Sequence, residues 1–270
     1  MTMLEISEVL FKDRTTEKNI ILAAESYQPE YSFSSHVTMD LAKLIKPRHQ
    51  KGKKEQASRT SAKAEVFTPS WICNMQNSLV DDEWFGRKNV FSIPDGRTWT
   101  AVPEKIQFPS GKTWQDYVLL KKLEITCGEA PYIASPYDTV SGEIIPVQNR
   151  IGFLDRKLRV VCENASVDDW YFWAEKAFQC AYGFEYQGDN LLIARKNVLR
   201  TFFDFVQFRF GCEPQKDRIE TISDIISWNL WQMDGLTFTI PGTSVPAKVK
   251  DFETGEVLLF RDLTGNRLEF

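Results

Sequence analysis

The sequence contains only two histidines, His36 and His49. Their placement excludes a histidine-based metal centre and a Ser-His-Asp triad. Five cysteines (Cys73, Cys127, Cys162, Cys180 and Cys212) are scattered without a CxxC pair. An odd, unclustered set argues against a disulfide framework or zinc site and fits reduced thiols in a cytoplasm. No apolar run approaches the ~20 residues of a membrane helix. The start, Met1-Thr-Met-Leu-Glu-Ile-Ser-Glu, has no basic region followed by an apolar stretch, so no signal peptide is expected. A Walker A loop is missing, which excludes a motor or P-loop ATPase. The acidic pairs Asp217/Glu220 and Asp251/Glu253 lack the following strand lysine of a nuclease. The expectation is a cytoplasmic protein with no metal and no membrane partner.

Aromatic residues are abundant, with nineteen Phe and eight Trp among 270 residues. They imply a dense core or an aromatic contact surface. The net charge of −4 argues against a general nucleic-acid coat. Positive charge is nevertheless concentrated at Lys43, Lys46, Arg48, Lys51, Lys53, Lys54, Arg59 and Lys63, with Glu55 the one acid among them. Such a run is either a solvated linker or an arm that neutralises phosphates. Lys51, Lys53, Lys54 and Arg59 are the candidate contacts to double-stranded DNA.

The pattern divides into a segment 1–63 with this basic arm, a compact region 64–240 and a β extension 241–270. Residues 45–63 read as a connector. Thr68 is placed to cap a helix whose first turn holds Pro69, with Ile72, Met75 and Leu79 at helical spacing. Residues 85–118 suggest irregular structure with a hairpin. The run Tyr117–Thr126 has strand length, and Leu158–Val161 suggests another strand. Helices are expected over Asp168–Ala181, Asn190–Phe208 and Asp217–Ser227. Further strands are expected at Tyr182–Tyr186 and from Trp228 into a turn at Asp234. Val245–Val249 and Glu256–Arg261 would pair. The sequence of strand, turn, helix, strand, acid, helix, strand and Asp is that of a doubly wound α/β domain, whose ligands lie at the carboxyl ends of the strands.

Three candidate sites fall at those ends. A nucleoside ligand needs a tight turn after the first strand, which Gly128 supplies. It needs an acid after the second to accept from ribose hydroxyls, which Glu185 supplies. It gains from an acceptor for the adenine amino group after the third, which Asp234 supplies. Each alone reads equally as a turn, a cap or a solvated acid. Their order, with helices between them, is what suggests a common pocket.

Four segments carry a family resemblance. Glu65-Val-Phe-Thr-Pro resembles the G/A-E-x-F-T-P segment of N6-adenine DNA methyltransferases of restriction–modification systems. Leu123-Glu-Ile-Thr-Cys-Gly-Glu-Ala is similar to their L-D-P-A-C-G-T-G motif. Tyr182-Gly-Phe-Glu-Tyr with Leu191-Leu-Ile-Ala-Arg-Lys-Asn-Val-Leu looks like their Y-G-x-E-x…A-R-x-N-L segment. Trp228-Asn-Leu-Trp-Gln-Met-Asp-Gly-Leu resembles N-I-x-x-x-D-x-L. The longer strings look like the subgroup described as restriction endonuclease subunit M, over roughly residues 11–260.

The resemblance implies a Rossmann-like S-adenosylmethionine-dependent methyltransferase domain with an N-terminal arm and a small C-terminal β segment. Its implied activity is site-specific, adenine-N6 methylation of DNA, in the company of a restriction or specificity subunit. It implies S-adenosylmethionine as cofactor. Phe67, Thr68 and Pro69 would line its methionine end, and Glu124, Cys127 and Gly128 would form the turn around it. Glu185 would bind the ribose, Tyr186 would pack near the adenine, and Asp234 would hold its amino group.

Two departures stand out. The family's Asp is Glu124 here, and its second Gly is Ala130, followed by Pro131. The base-binding N/D/S-P-P-Y/F motif is absent after Asp234. Ser135-Pro-Tyr137-Asp138 is the nearest look-alike, earlier in the chain than the family places it. It reads as a polar turn or as a relocated motif in which Ser135 accepts from the amino group and Tyr137 stacks on the flipped base. A catalytically silent subunit that binds DNA or a partner is the alternative.

Overall fold

A computed structural model describes residues 8–22, 35–63 and 65–265. In chain order its helices are α1 (Met39–Leu44), α2 (Lys53–Lys63), α3 (Ser70–Phe85), α4 (Trp114–Val118), α5 (Phe153–Asn164), α6 (Trp170–Gln179), α7 (Gly188–Phe210), α8 (Lys216–Asn229) and α9 (Phe260–Leu263). Its strands are β1 (Ser92–Asp95), β2 (Thr98–Ala101), β3 (Lys122–Glu124), β4 (Ala181–Glu185), β5 (Leu230–Gln232), β6 (Lys248–Lys250) and β7 (Val257–Leu259). The fold is mixed α/β, around a parallel sheet of order β3-β4-β5. The pairs β1–β2 and β6–β7 are antiparallel. Among the described residues no helix is long and apolar enough to cross a membrane.

Alternation along the strands explains both layers. Phe184 of β4 and Trp231 of β5 sit on one face, in a small core with Met233, Ile240, Ala247, Val249 and Phe260. This is the C-terminal β segment closing over the sheet. The helices on the other side enclose the main core, centred on Trp170, Phe178, Phe202 and Phe205. The long buried face of α7 runs from Gly188 to Val206 and ends in a left-handed Gly211.

Several expectations are corrected. Leu158–Val161 lies inside α5, not in a strand. Phe153, Leu154, Leu158 and Val161 recur at helical spacing, and the Asp155 carboxylate accepts from Gly152 N at 3.1 Å to start the helix. The charged stretch Asp155-Arg156-Lys157, which disguised it, is buried in polar contacts. The strand expected over 117–126 is shortened to β3 because α4 takes its first residues, opened by a capping box between Thr113 and Asp116. The expected strand from Trp228 begins at Leu230, since α8 continues to Asn229. Thr68 does not cap α3. Ser70 N donates instead to Asp138 Oδ2 at 2.7 Å, and the Thr68 carbonyl accepts from Thr139 Oγ1 at 3.1 Å.

The stretch 45–63 is not a bare connector either, because it holds a 3-10 turn (Arg48–Gln50) and α2. Nor is the N-terminal segment a separate arm throughout. Ile20, Leu22, Val37 and Leu41 belong to the main core. Residues 20–22 and 35–37 form a strap, with Leu22 N donating to Ser35 O and Val37 N to Ile20 O, each at 2.8 Å.

Candidate functional site at the strand ends

Glu124, Glu185 and Gln232 are the last residues of β3, β4 and β5. Parallel pairing puts all three carboxyl ends on one side of the sheet. The chain leaves β3 through a turn in which Thr126, Gly128 and Ala130 all have positive φ, at 48°, 55° and 62°. Cys127 N donates to Phe184 O at 2.8 Å, which lays the turn across the end of β4.

Glu185 organises this turn. Its Oε2 accepts from Gly128 N at 2.9 Å, and its Oε1 accepts from Gln187 N at 3.0 Å. Burial pushes its carboxyl up to about 7, with Asp189 and Glu65 adding to the rise against those two backbone bonds. Glu124 is also buried and accepts from Ile133 N at 3.0 Å. Desolvation raises its carboxyl well above the usual range. Desolvation likewise raises the Cys127 thiol, with the two glutamates contributing, so this is a packed thiol and not a nucleophile.

Phe67 stands against the turn. A Cβ added to Gly128 would meet only its ring, at 3.9 Å. The Phe67 ring also carries the Arg48 guanidinium, 5.0 Å from its centroid. Thr68 and Pro69 follow, half-buried. Tyr186 and Asp234 are half-buried as well, and burial raises the Tyr186 hydroxyl with a contribution from Asp234. Asp234 also shapes its own turn, accepting from Leu236 N at 2.8 Å through Oδ1. The structure thus brings Phe67, Gly128 and Glu185 into one contact series, and Tyr186 and Asp234 into another at the next strand end.

Ser135 and Tyr137 do not join them. Ser135 is buried, its hydroxyl donating to Asp155 Oδ2 at 2.9 Å and accepting from Ile151 N at 2.8 Å. Tyr137 is buried too, donating to Glu129 Oε2 at 2.7 Å and accepting from Asn197 Nδ2 at 2.9 Å. Neither can accept from or stack on an incoming base, because both are consumed in holding the loop down.

Two of the four candidate DNA contacts, Lys51 and Arg59, are also internal. Arg59 pairs with Glu65 at 2.5 Å and with Asp189 at 2.7 Å, while Lys51 lies 3.9 and 4.0 Å from the same two carboxylates. Both cations are buried, so neither reaches a phosphate. Lys53 and Lys54 are exposed on α2, and Lys46 is exposed before it.

Sequence reasoning missed Gln232. Its Nε2 donates to Ile21 O at 2.7 Å and to Tyr186 O at 2.9 Å, and its Oε1 accepts from Ile21 N at 2.9 Å. It fastens the strap over the strand ends. A fully buried amide at the end of an apolar strand was the available signal, and only the partner 211 residues away gives it meaning. Asn197 was missed likewise. It joins Glu129 O at 3.0 Å to Tyr137. Comparison of the chain with protein-family models, with curated proteins and with solved structures returns no match.

Proposed function

We propose that this chain is the cofactor-binding component of a DNA adenine-N6 methyltransferase, with S-adenosylmethionine held at the strand ends. The observation that carries the reading is the Gly128–Glu185 contact. A left-handed turn with a bare backbone is tied to a buried carboxylate at the end of the neighbouring parallel strand, as a nucleoside ligand requires.

The residues suit such a ligand. Gly128 leaves room for backbone approach, Phe67 offers an apolar wall, and each Glu185 oxygen accepts one backbone bond and retains a lone pair for a ribose hydroxyl. Tyr186 and Asp234 supply a ring and an acceptor at the adjacent strand end. When bound, the cofactor supplies an electrophilic methyl group. This chain's own residues bind and orient it. The acceptor for the adenine amino group then has to come from outside the Ser135–Asp138 turn. Lys46, Lys53 and Lys54 remain available for DNA phosphates. The burial of Ser135 and Tyr137 favours a second reading, a catalytically silent subunit of a restriction–modification system.

Calorimetry with S-adenosylhomocysteine tests the pocket. Binding is expected, and the double variant E185A/D234A is expected to abolish it. Retained affinity in that variant would refute the placement. The ionised carboxylate is the stronger acceptor for hydroxyl donors, and burial pushes the Glu185 carboxyl up to about 7. Affinity should therefore weaken from pH 8 to pH 6, by up to about tenfold. A methyl-transfer assay on unmodified DNA separates the readings. Label entering adenine supports the catalytic component, and binding without transfer supports the silent subunit.

A further inference from the structure

α3 buries more polar side chains than a surface helix usually does. Beside Cys73 and Phe85, its buried side carries Ser70, Asn74, Asn77 and Asp81. Asn77 Nδ2 donates to Tyr132 O and Ile151 O, each at 3.0 Å, and Asp81 pairs with Arg156 and Lys122, each at 2.6 Å. Its apolar stripe instead faces outward, with Leu79 64% and Val80 54% exposed. A surface helix ordinarily does the reverse.

The same stripe borders the sheet's open edge. β3 is the terminal strand of the sheet, and no strand among the described residues pairs with its free side. Lys122 N donates toward β4, to the carbonyl of Cys180 just before it, at 3.1 Å. By alternation the Leu123 N–H and C=O therefore point to the free side. Leu123 and Ile125 are 41% and 66% exposed beside them. A groove of about 480 Å³ runs between this edge and α3, lined by Val80, Leu123 and Ile125 among others.

We infer that β3 pairs antiparallel with β3 of a second copy of this chain, across a two-fold axis at Leu123. An extended backbone is what pairs in register with a free strand edge, which points to a strand as its occupant. Self-pairing at Leu123 lets the two copies exchange both N–H···O=C bonds. An isologous contact sets a surface against itself, so a charged patch would repel its copy. The centre of the contact, Leu79, Val80, Leu123 and Ile125, is uncharged, and the exposed charges that flank it, Glu83 on α3 and Lys121 before β3, are of opposite sign. In this register Lys122 lies across from Glu124 of the second copy, so no like charges oppose each other. Two α3 helices then lie on the same side of one continuous sheet and cover each other's apolar stripe.

This inference is independent of the proposed cofactor. Sedimentation equilibrium of the full chain should show a dimer, with slowed hydrogen exchange at the Leu123 amide as concentration rises. Ile125→Lys and, separately, Leu79→Lys should each weaken dimerisation at least tenfold. Both positions are exposed in the single chain, so its circular dichroism should be unchanged. A monomer at all concentrations overturns the proposal. So does a dimer that leaves the Leu123 amide unprotected, or one indifferent to both variants.

Discussion

Ala130 occupies a left-handed conformation, with φ of 62°, where the resembling family has glycine. The conformation costs an alanine about 1–2 kcal/mol. Its methyl is fully buried, which returns roughly 0.8 kcal/mol, and alanine has less freedom than glycine to lose on folding. The terms nearly cancel, which explains how the turn keeps its shape without the glycine. Gly128 and Gly188 separate conformation from space. At Gly128 the φ is 55° and the nearest atom to an added Cβ is 3.9 Å away, so Gly128→Ala should cost about 1 kcal/mol, for backbone conformation alone. At Gly188 an added Cβ would lie 2.1 Å from Ile21 O. Gly188→Ala must push the strap off α7, at about 3 kcal/mol or more. Urea unfolding of the two variants checks the contrast.

Elements with regular apolar spacing were readable from the sequence. α6, α7 and α8 lie within a few residues of expectation, as do β4 and the pairing of β6 with β7. α5 was not readable, because Asp155, Arg156 and Lys157 look like solvent-facing residues until their distant partners are known. α3 shows the same difficulty. Ile72, Met75 and Leu79 have the spacing of a core face, but the buried side is carried by Asn74, Asn77 and Asp81 together with Cys73 and Phe85. Burial pushes the Asp81 carboxyl up, and Arg156 and Lys122 together hold it below its ordinary value. Asp81→Ala would leave the buried Arg156 guanidinium without its charged partner, and should cost roughly 3–5 kcal/mol in chemical unfolding. That is far more than a surface substitution such as Glu83→Ala, expected within about 0.5 kcal/mol.

At the scale of the whole molecule, the three parallel strand ends were legible in their order along the chain. The strap that crosses them was not. The basic run shows the limit most plainly, since charge count alone does not distinguish Lys53, which is exposed, from Lys51, which is buried beside Glu65 and Asp189. Buried charge also shapes how the molecule responds to pH. Lys157 is fully buried at the start of the sheet, its ammonium donating to Leu120 O and to Cys180 O. Burial brings it down to about 7. The unfolded chain returns it to about 10.4, so unfolding takes up a proton across that window. Its contribution to stability therefore rises with pH between about 7 and 10.4 and is constant below 7. Relative to Lys157→Met, the native chain should gain up to about 1.4 kcal/mol per pH unit between pH 7.5 and 9.5, measured by urea titration at each pH.

The clasp between Gln232 and Ile21 has a consequence in time. Its two halves lie 211 residues apart along the chain, so closing it carries a large loop entropy and a high contact order. During synthesis, helices α5 to α7 can form from local contacts while this clasp is still incomplete. The strand ends at which the ligand is proposed to bind acquire their roof only after residue 232 has emerged. A chain interrupted before that point would hold Gly128 and Glu185 while the strap lacked its anchor at Gln232.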